Sequence, residues 1–160
     1  MLSPILPLLL STLPLLTTAT PLLTRQSDTP SLTITNFIAF HADPYIEGAQ
    51  SNLSFHVSDT RPGALGIEVD CAVPPTYFNL YAISALFDNC GDMARDVWYR
   101  YSETGLTVRR GWWVNETAYV RGTATQSLAG INPTTLADGK LWRKEEAWAF
   151  PMTVRASNPP

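Results

Sequence analysis

Leu53-Ser54-Phe55-His56-Val57-Ser58-Asp59-Thr60-Arg61-Pro62-Gly63-Ala64-Leu65-Gly66-Ile67-Glu68-Val69-Asp70-Cys71 decides the fold. Leu53, Phe55 and Val57 alternate with polar residues, as do Leu65, Ile67, Val69 and Cys71. A period of two places each row on one side of a pleated strand, so both segments read as half-buried antiparallel strands. Between them, Asp59 to Gly63 carries the turn residues Asp, Pro and Gly, which makes a hairpin with a short loop.

The same period extends along the chain. Leu32 and Ile34 begin a first strand that ends in Phe37 to Phe40. Val97, Tyr99 and Tyr101 alternate, and Ser102 to Gly105 turns the chain into Leu106, Val108 and the pair Trp112-Trp113. Ala118, Val120, Gly122 and Ala124 form another inward row, and Phe150, Met152 and Val154 a last one, with Pro151 marking an edge or bulge. Tyr77 to Leu86 lacks the pattern and reads as a short helix or irregular loop, and Ala129 to Lys140 as a long surface connection. Seven to eight short strands without an amphipathic helix of normal length give an all-β fold. It is a single antiparallel β-barrel or β-sandwich spanning residues 31–156.

Composition agrees with one domain. The chain has 160 residues, 45% hydrophobic, 11% aromatic and 16% charged, which excludes a disordered chain and a multidomain machine. Residues 1–24 carry no charged side chain, and a Leu-rich run broken by Pro7 and Pro14 leads into Thr17, Thr18 and Ala19. This reads as a signal peptide over residues 1–19, with residues 20–30 a short leader trimmed near Arg25-Gln26. The run is too short and too proline-rich for a membrane span. The carboxyl end carries no anchoring tail or retention signal, so the expected location is extracellular.

In that oxidising setting the two cysteines, Cys71 and Cys90, are expected to form a disulfide, which leaves none for a disulfide-linked dimer. Asn52-Leu53-Ser54 and Asn115-Glu116-Thr117 are glycosylation acceptors, whereas Pro133 excludes Asn132.

The order of these signals resembles a known family. Ile34-Thr35-Asn36-Phe37, Ser54-Phe55-His56-Val57 and Ile67-Glu68-Val69-Asp70-Cys71 are followed by an aromatic-rich segment into Asp88-Asn89-Cys90-Gly91. Val97-Trp98-Tyr99, Gly105-Leu106-Thr107-Val108, Thr117-Ala118-Tyr119-Val120 and Ala147-Trp148-Ala149-Phe150-Pro151-Met152-Thr153-Val154 complete the series. Over Leu32 to Val154 the chain is similar to the small secreted fungal β-barrel proteins typified by the major allergen of Alternaria. Two departures stand out. Members commonly carry a second disulfide where this chain has Gln126 to Trp142, without cysteine, and nothing before Cys71 matches the amino-terminal cysteine that links two barrels. The resemblance implies a barrel, secretion, and a role as an effector, elicitor or allergen at a host, and it brings no catalytic residues.

Candidate chemistry is sparse. His41 and His56 are the two histidines and make a poor zinc set; both read as structural or solvated, and no cofactor or metal is expected. Glu68 and Asp70 share the polar face of one strand and could in principle offer the paired carboxylates of a small hydrolase, but an exposed polar face is the favoured reading. Asp88, Asp92 and Asp96 lack the ligand rhythm of a calcium loop and read as a solvated acidic loop. Nucleophile elbows, phosphate loops and dinucleotide fingerprints are absent from the sequence.

Charge is uneven. Residues 26–94 hold one basic and eight acidic residues, a net of −7, and residues 95–160 hold nine basic and six acidic, a net of +3. If Val97, Tyr99, Leu106, Val108, Ala118, Val120 and Gly122 face inward, then Trp98, Arg100, Arg109, Tyr119 and Arg121 face outward as an aromatic and arginine-rich patch. That composition is favoured at binding hot spots, though cross-strand stacking alone also accounts for it. The sequence therefore points to a non-enzymatic, secreted, effector-like protein that binds an extracellular host protein or a cell-wall glycan. A carbohydrate-binding module using the five Trp, a barrel carrying an apolar ligand, and a hydrolase are the alternatives. A secreted acidic chain is a poor nucleic-acid binder.

Overall fold

A computed structural model describes residues 29–160, so the segment read as a signal peptide and most of that read as a leader lie outside the described residues. Eleven strands are present among them: β1 (Ser31–Ala42), β2 (Ser51–Asp59), β3 (Ile67–Thr76), β4 (Asp88–Asn89), β5 (Val97–Ser102), β6 (Gly105–Trp113), β7 (Tyr119–Gln126), β8 (Thr134–Leu136), β9 (Gly139–Lys144), β10 (Trp148–Pro151) and β11 (Thr153–Ala156). Every pairing is antiparallel. The first sheet runs β3-β2-β1-β9-β8, with β10 also on β1, and the second runs β11-β7-β6-β5-β4. The sandwich is thus the all-β form adopted, rather than the closed barrel.

The alternating rows point where their period places them. Leu53, Phe55 and Val57 of β2, Val69, Cys71 and Val73 of β3, and Val97, Tyr99 and Tyr101 of β5 are buried between the sheets. In β1 a bulge at Asn36, which has the left-handed φ of 53°, switches the inward row from Leu32 and Ile34 to Phe37 and Ala39. One extra residue inverts the face of everything after it. Phe37 then packs at a tilt against Phe55 and Tyr101, and Phe55 meets Tyr99 edge to face, which fills the space that a ligand-carrying barrel needs to keep open.

Strands exceed the expected number for identifiable reasons. The stretch read as a surface connection, Ala129 to Lys140, contains β8 and the start of β9, whose hairpin pairs Thr134 with Leu141 and Leu136 with Gly139. The expected last strand is two. Its first half, β10, pairs with β1, and after Met152 the second half, β11, crosses to pair with β7. The Met152 amide donates to the Pro30 carbonyl at the crossing. Within Tyr77 to Leu86 a one-turn helix, α1 (Leu80–Ile83), starts at Asn79, whose Oδ1 accepts from the Tyr81 amide at 2.8 Å.

The sheets are stitched at both margins. On one side the chain itself passes between them at Met152. On the other, Cys71 of edge strand β3 is bonded to Cys90, which follows edge strand β4. Closing a loop of 19 residues is worth about 3 kcal/mol in the chain-entropy model.

A buried ion pair joins the layers. Asp59 closes β2 with no exposed side-chain surface, and its carboxylate accepts from Arg110 of β6, which is itself only 3% exposed. Arg61 adds a two-pronged contact, Nε to Oδ1 at 2.9 Å and Nη2 to Oδ2 at 2.6 Å, and its guanidinium lies 4.1 Å from the centre of the Trp112 ring. Burial alone would raise the Asp59 carboxyl, but the Arg61 hydrogen bonds and the charges of Arg110 and Arg61 hold it below its ordinary value. At the opposite end of β1, His41 donates or accepts at the Tyr101 hydroxyl, 3.0 Å away, amid the rings of Tyr81 and Trp142.

Two predictions follow from these buried groups. Replacing Asp59 by Ala strands the Arg110 charge in the interior and should cost about 3 to 5 kcal/mol in urea unfolding, whereas Arg110→Met with Asp59→Leu should recover much of the loss. His41, pushed down by burial to about 4 from 6.5, is neutral in the fold over a range where the unfolded chain takes up a proton. Its contribution is complete above pH 6.5 and is lost as pH falls toward 4. The urea midpoint of the native protein should fall between pH 7 and pH 4.5, and His41→Phe should flatten that dependence.

Candidate functional site

The outer face of the second sheet collects the outward residues of β5, β6, β7 and β11. Register sets their neighbours: Trp98 lies opposite Arg109, Arg100 opposite Thr107, Gly111 opposite Arg121, and Arg121 in turn opposite Arg155. Four of the five residues expected in the patch have side chains at the surface here: Arg100 exposed, and Trp98, Arg109 and Arg121 half-buried. Tyr119 occupies the same face but is buried, contrary to the expectation of an available aromatic. Its ring lies across Gly111, where a Cβ would collide with the Tyr119 hydroxyl and with Asp96.

Asp96 organises this face. It follows a short 3₁₀ turn (Met93–Arg95) in the left-handed region, with φ 44°, and its side chain reaches under the outer surface. Its carboxylate accepts from the Trp98 indole at 2.5 Å, from the Tyr119 hydroxyl, and from Arg121 at 3.5 Å. Asp96 is buried, not part of a solvated acidic loop as its sequence neighbours suggested; Asp92 instead caps the turn, accepting from the Ala94 amide. Burial first, and the Asp96 hydrogen bond and charge next, push the Tyr119 phenol up to about 12.

The arginines are held flat. The Arg109 guanidinium stacks on Phe87 at 4.3 Å and Arg100 approaches the same ring at 5.6 Å. Burial, followed by the like charge of Arg121, pulls Arg109 below the ordinary arginine value, with Asp96 opposing. Guanidinium remains cationic throughout the physiological range. Over the outer face of β7 and β11, beside these residues, lies a shallow groove of about 700 Å³, lined by Arg109, Arg121, Arg155, Thr123, Thr153 and Ser157 among others, and by no carboxylate. Sequence reasoning missed Arg155 because it assigned the last strand to a single sheet. The missed partner of Asp59, Arg110, was within reach: the alternation that turns Val108 inward does the same two residues later.

Other candidates lie apart. Glu68 and Asp70 sit on the outer face of β3 in the first sheet, and the Asp70 carboxylate accepts from His56 Nδ1 on β2 at 2.8 Å rather than forming a catalytic pair with Glu68. Among the tryptophans, Trp112 is buried over Gly122, Trp142 and Trp148 pack on the core, and Trp113, 51% exposed, stands on the outer face against Tyr119. Five stacking platforms for a neutral sugar are therefore not what the fold presents. Asn52 is half-buried on β2. Asn115 is exposed in the turn between β6 and β7, its Oδ1 accepting from the amides of Thr117 and Ala118 at 3.0 and 2.8 Å. No helix among the described residues is long and apolar enough to cross a membrane.

No protein-family model matches the chain, and no curated protein matches it. Among solved structures it is similar to a crystal structure of the Alternaria alternata major allergen Alt a 1, with a TM-score of 0.47 and 13% identity, over 82% of this chain and 98% of that one. A second crystal structure of Alt a 1 gives a TM-score of 0.46 and 13% identity, over 79% of this chain and 89% of that one.

The packing around Asp96 makes a specific demand on Gly111. Gly111→Ala should displace both the Asp96 carboxylate and the Tyr119 ring and lower the urea unfolding free energy by about 1 to 3 kcal/mol. Gly130→Ala, at a site open to solvent, should change it by less than about 0.5 kcal/mol.

Proposed function

We propose that the mature protein is a secreted, non-enzymatic binding protein of the effector or elicitor kind. It engages an extracellular host protein or cell-wall glycan through the outer face of its second sheet. The observation that carries this reading is the arrangement of Arg100, Arg109 and Arg121 on that face, two of them stacked on Phe87 and one braced by Asp96. Guanidinium groups fixed in this way lose little rotamer freedom on meeting a partner, and the sheet beneath keeps their spacing constant. Trp98 adds aromatic surface to the same patch, while Tyr119 serves as a buttress through its hydroxyl.

The disulfide and the leader read from the sequence agree with an extracellular site of action. Glycans at Asn52 or Asn115 belong to the same reading, and the exposed turn around Asn115 is the more accessible of the two.

The test is affinity capture from extracellular fluid of a host, followed by mass spectrometry. Replacing Arg100, Arg109 and Arg121 together by Ser should reduce recovery of the captured partner by tenfold or more, with the circular dichroism spectrum of the native fold retained. Undiminished capture by a folded triple variant would move the binding surface elsewhere on the molecule.

A further inference from the structure

The groove beside that face has a feature that sheet packing does not explain. Arg121 of β7 and Arg155 of β11 are direct cross-strand partners on one face, an arrangement of like charges that destabilises a sheet. Arg109 stands one register step away on β6, opposite Thr123. Arg121 and Arg155 thus lie side by side, about 5 Å apart at their Cβ atoms, and Arg109 is a diagonal neighbour of Arg121 on the next strand, its guanidinium stacked over Phe87. The groove lining holds no acid to neutralise them. The nearest carboxylate, Asp96, is buried and already accepts from Trp98 and Tyr119 as well as Arg121. Asp96 offsets the charge of Arg121, while the lining holds no acid for Arg155, and a cation left facing a like charge in an otherwise consistent sheet is where a ligand charge fits.

Resting on the reading that this is the binding face, we infer that the groove over the outer face of β7 and β11 binds an anionic saccharide. Its carboxylate or sulfate is held by Arg121 and Arg155 at the end of the groove, with Arg109 on its flank, and its hydroxyls meet Thr123, Thr153 and Ser157. The planar guanidinium fork pairs with such oxyanions through two parallel hydrogen bonds. The short hydroxyl side chains, each able to donate and accept, suit the ring hydroxyls of a sugar. Thr123 and Thr153 face each other across the strands directly beside the Arg121 and Arg155 pair, so charge and hydroxyl recognition lie one step apart along the groove. At about 700 Å³ the site has the size of an oligosaccharide cleft. The row of hydroxyl side chains in the lining, Thr123, Thr125, Thr153 and Ser157, favours the saccharide over an acidic peptide.

The experiment is isothermal titration of the secreted mature protein with four probes: a uronic-acid tetrasaccharide, a sulfated tetrasaccharide, a neutral tetrasaccharide and a tetra-glutamate peptide. One or both anionic saccharides should bind, and the tighter of the two identifies the anion. Binding should weaken at least tenfold in Arg155→Gln and between low and high salt, and Thr153→Val should weaken the saccharide without changing the salt dependence. Arg155 is exposed, so its replacement leaves the core untouched. Equal binding of the neutral sugar, tighter binding of the peptide, affinity indifferent to Arg155→Gln, or no binding of either anionic saccharide would overturn the inference. If the saccharides fail while capture of a host partner still depends on Arg100, Arg109 and Arg121, this inference falls and the binding face stands. Loss of both removes the face as well.

Discussion

The contact between Asp59 and Arg110 fixes more than the distance between two sheets. Taking both charges out of water costs several kcal/mol, and their attraction offsets that cost without necessarily adding stability beyond a hydrophobic pair. What the pair supplies is register. Arg109 and Arg110 are adjacent, and a slip of β6 by one residue would send Arg109 into the core and Arg110 to the surface. With Asp59 waiting at the end of β2, the register that buries Arg110 is the one in which no charge is left unpaired inside. Arg109 and Gly111 are then committed to the outer face, where Gly111 makes room for Tyr119 and Asp96. The candidate binding surface is in this sense dictated from the other side of its own sheet.

The second determinant is the crossing at Met152. A strand that stayed with the first sheet would leave β7 as an exposed edge and place Arg155 on the other layer. Passing over at Met152 lets β11 cover that edge and sets Arg155 opposite Arg121. The crossing and the Cys71–Cys90 bridge act at opposite margins, so the sheets are tethered on both sides while the β-sandwich stays open as a sheet topology. The like-charge pair in the groove is a product of the route the chain takes.

Much of this was legible because period-two alternation is a local property. Leu53, Phe55 and Val57, or Val97, Tyr99 and Tyr101, announce their inward face without reference to anything distant, and the hairpins between β2 and β3 and between β5 and β6 lie where the turn residues place them. The illegible parts depend on partners far along the chain. Thr134 to Lys140 has the composition of a loop and becomes β8 and the start of β9 because β1 offers β9 an open flank. Asp96 sits among acidic neighbours that stay exposed, and is buried because Trp98, Tyr119 and Arg121 converge on it from two further strands. Tyr119 shares the outward phase of Arg121 and Arg109, and phase alone cannot tell a side chain that reaches into solvent from one that lies down across a glycine.

The uneven charge along the sequence acquires a spatial meaning in the sandwich. Glu68 and Asp70 come from the acidic amino-terminal part and lie on the outer face of the first sheet, while Arg100, Arg109, Arg121 and Arg155 come from the basic carboxyl-terminal part and lie on the outer face of the second. The basic residues of β9, which belongs to the first sheet, are partly neutralised locally, Arg143 by Glu145 and Lys144 by Glu146. Packed sheets stand about 10 Å apart, and the screening length at physiological ionic strength is about 8 Å, so charges on opposite outer faces are largely hidden from one another. A net charge of −3 therefore describes the whole chain and not what an approaching ligand meets at the second sheet. There the local charge is set by Arg100, Arg109, Arg121 and Arg155 around one buried carboxylate, Asp96, and it is positive despite the acidic total.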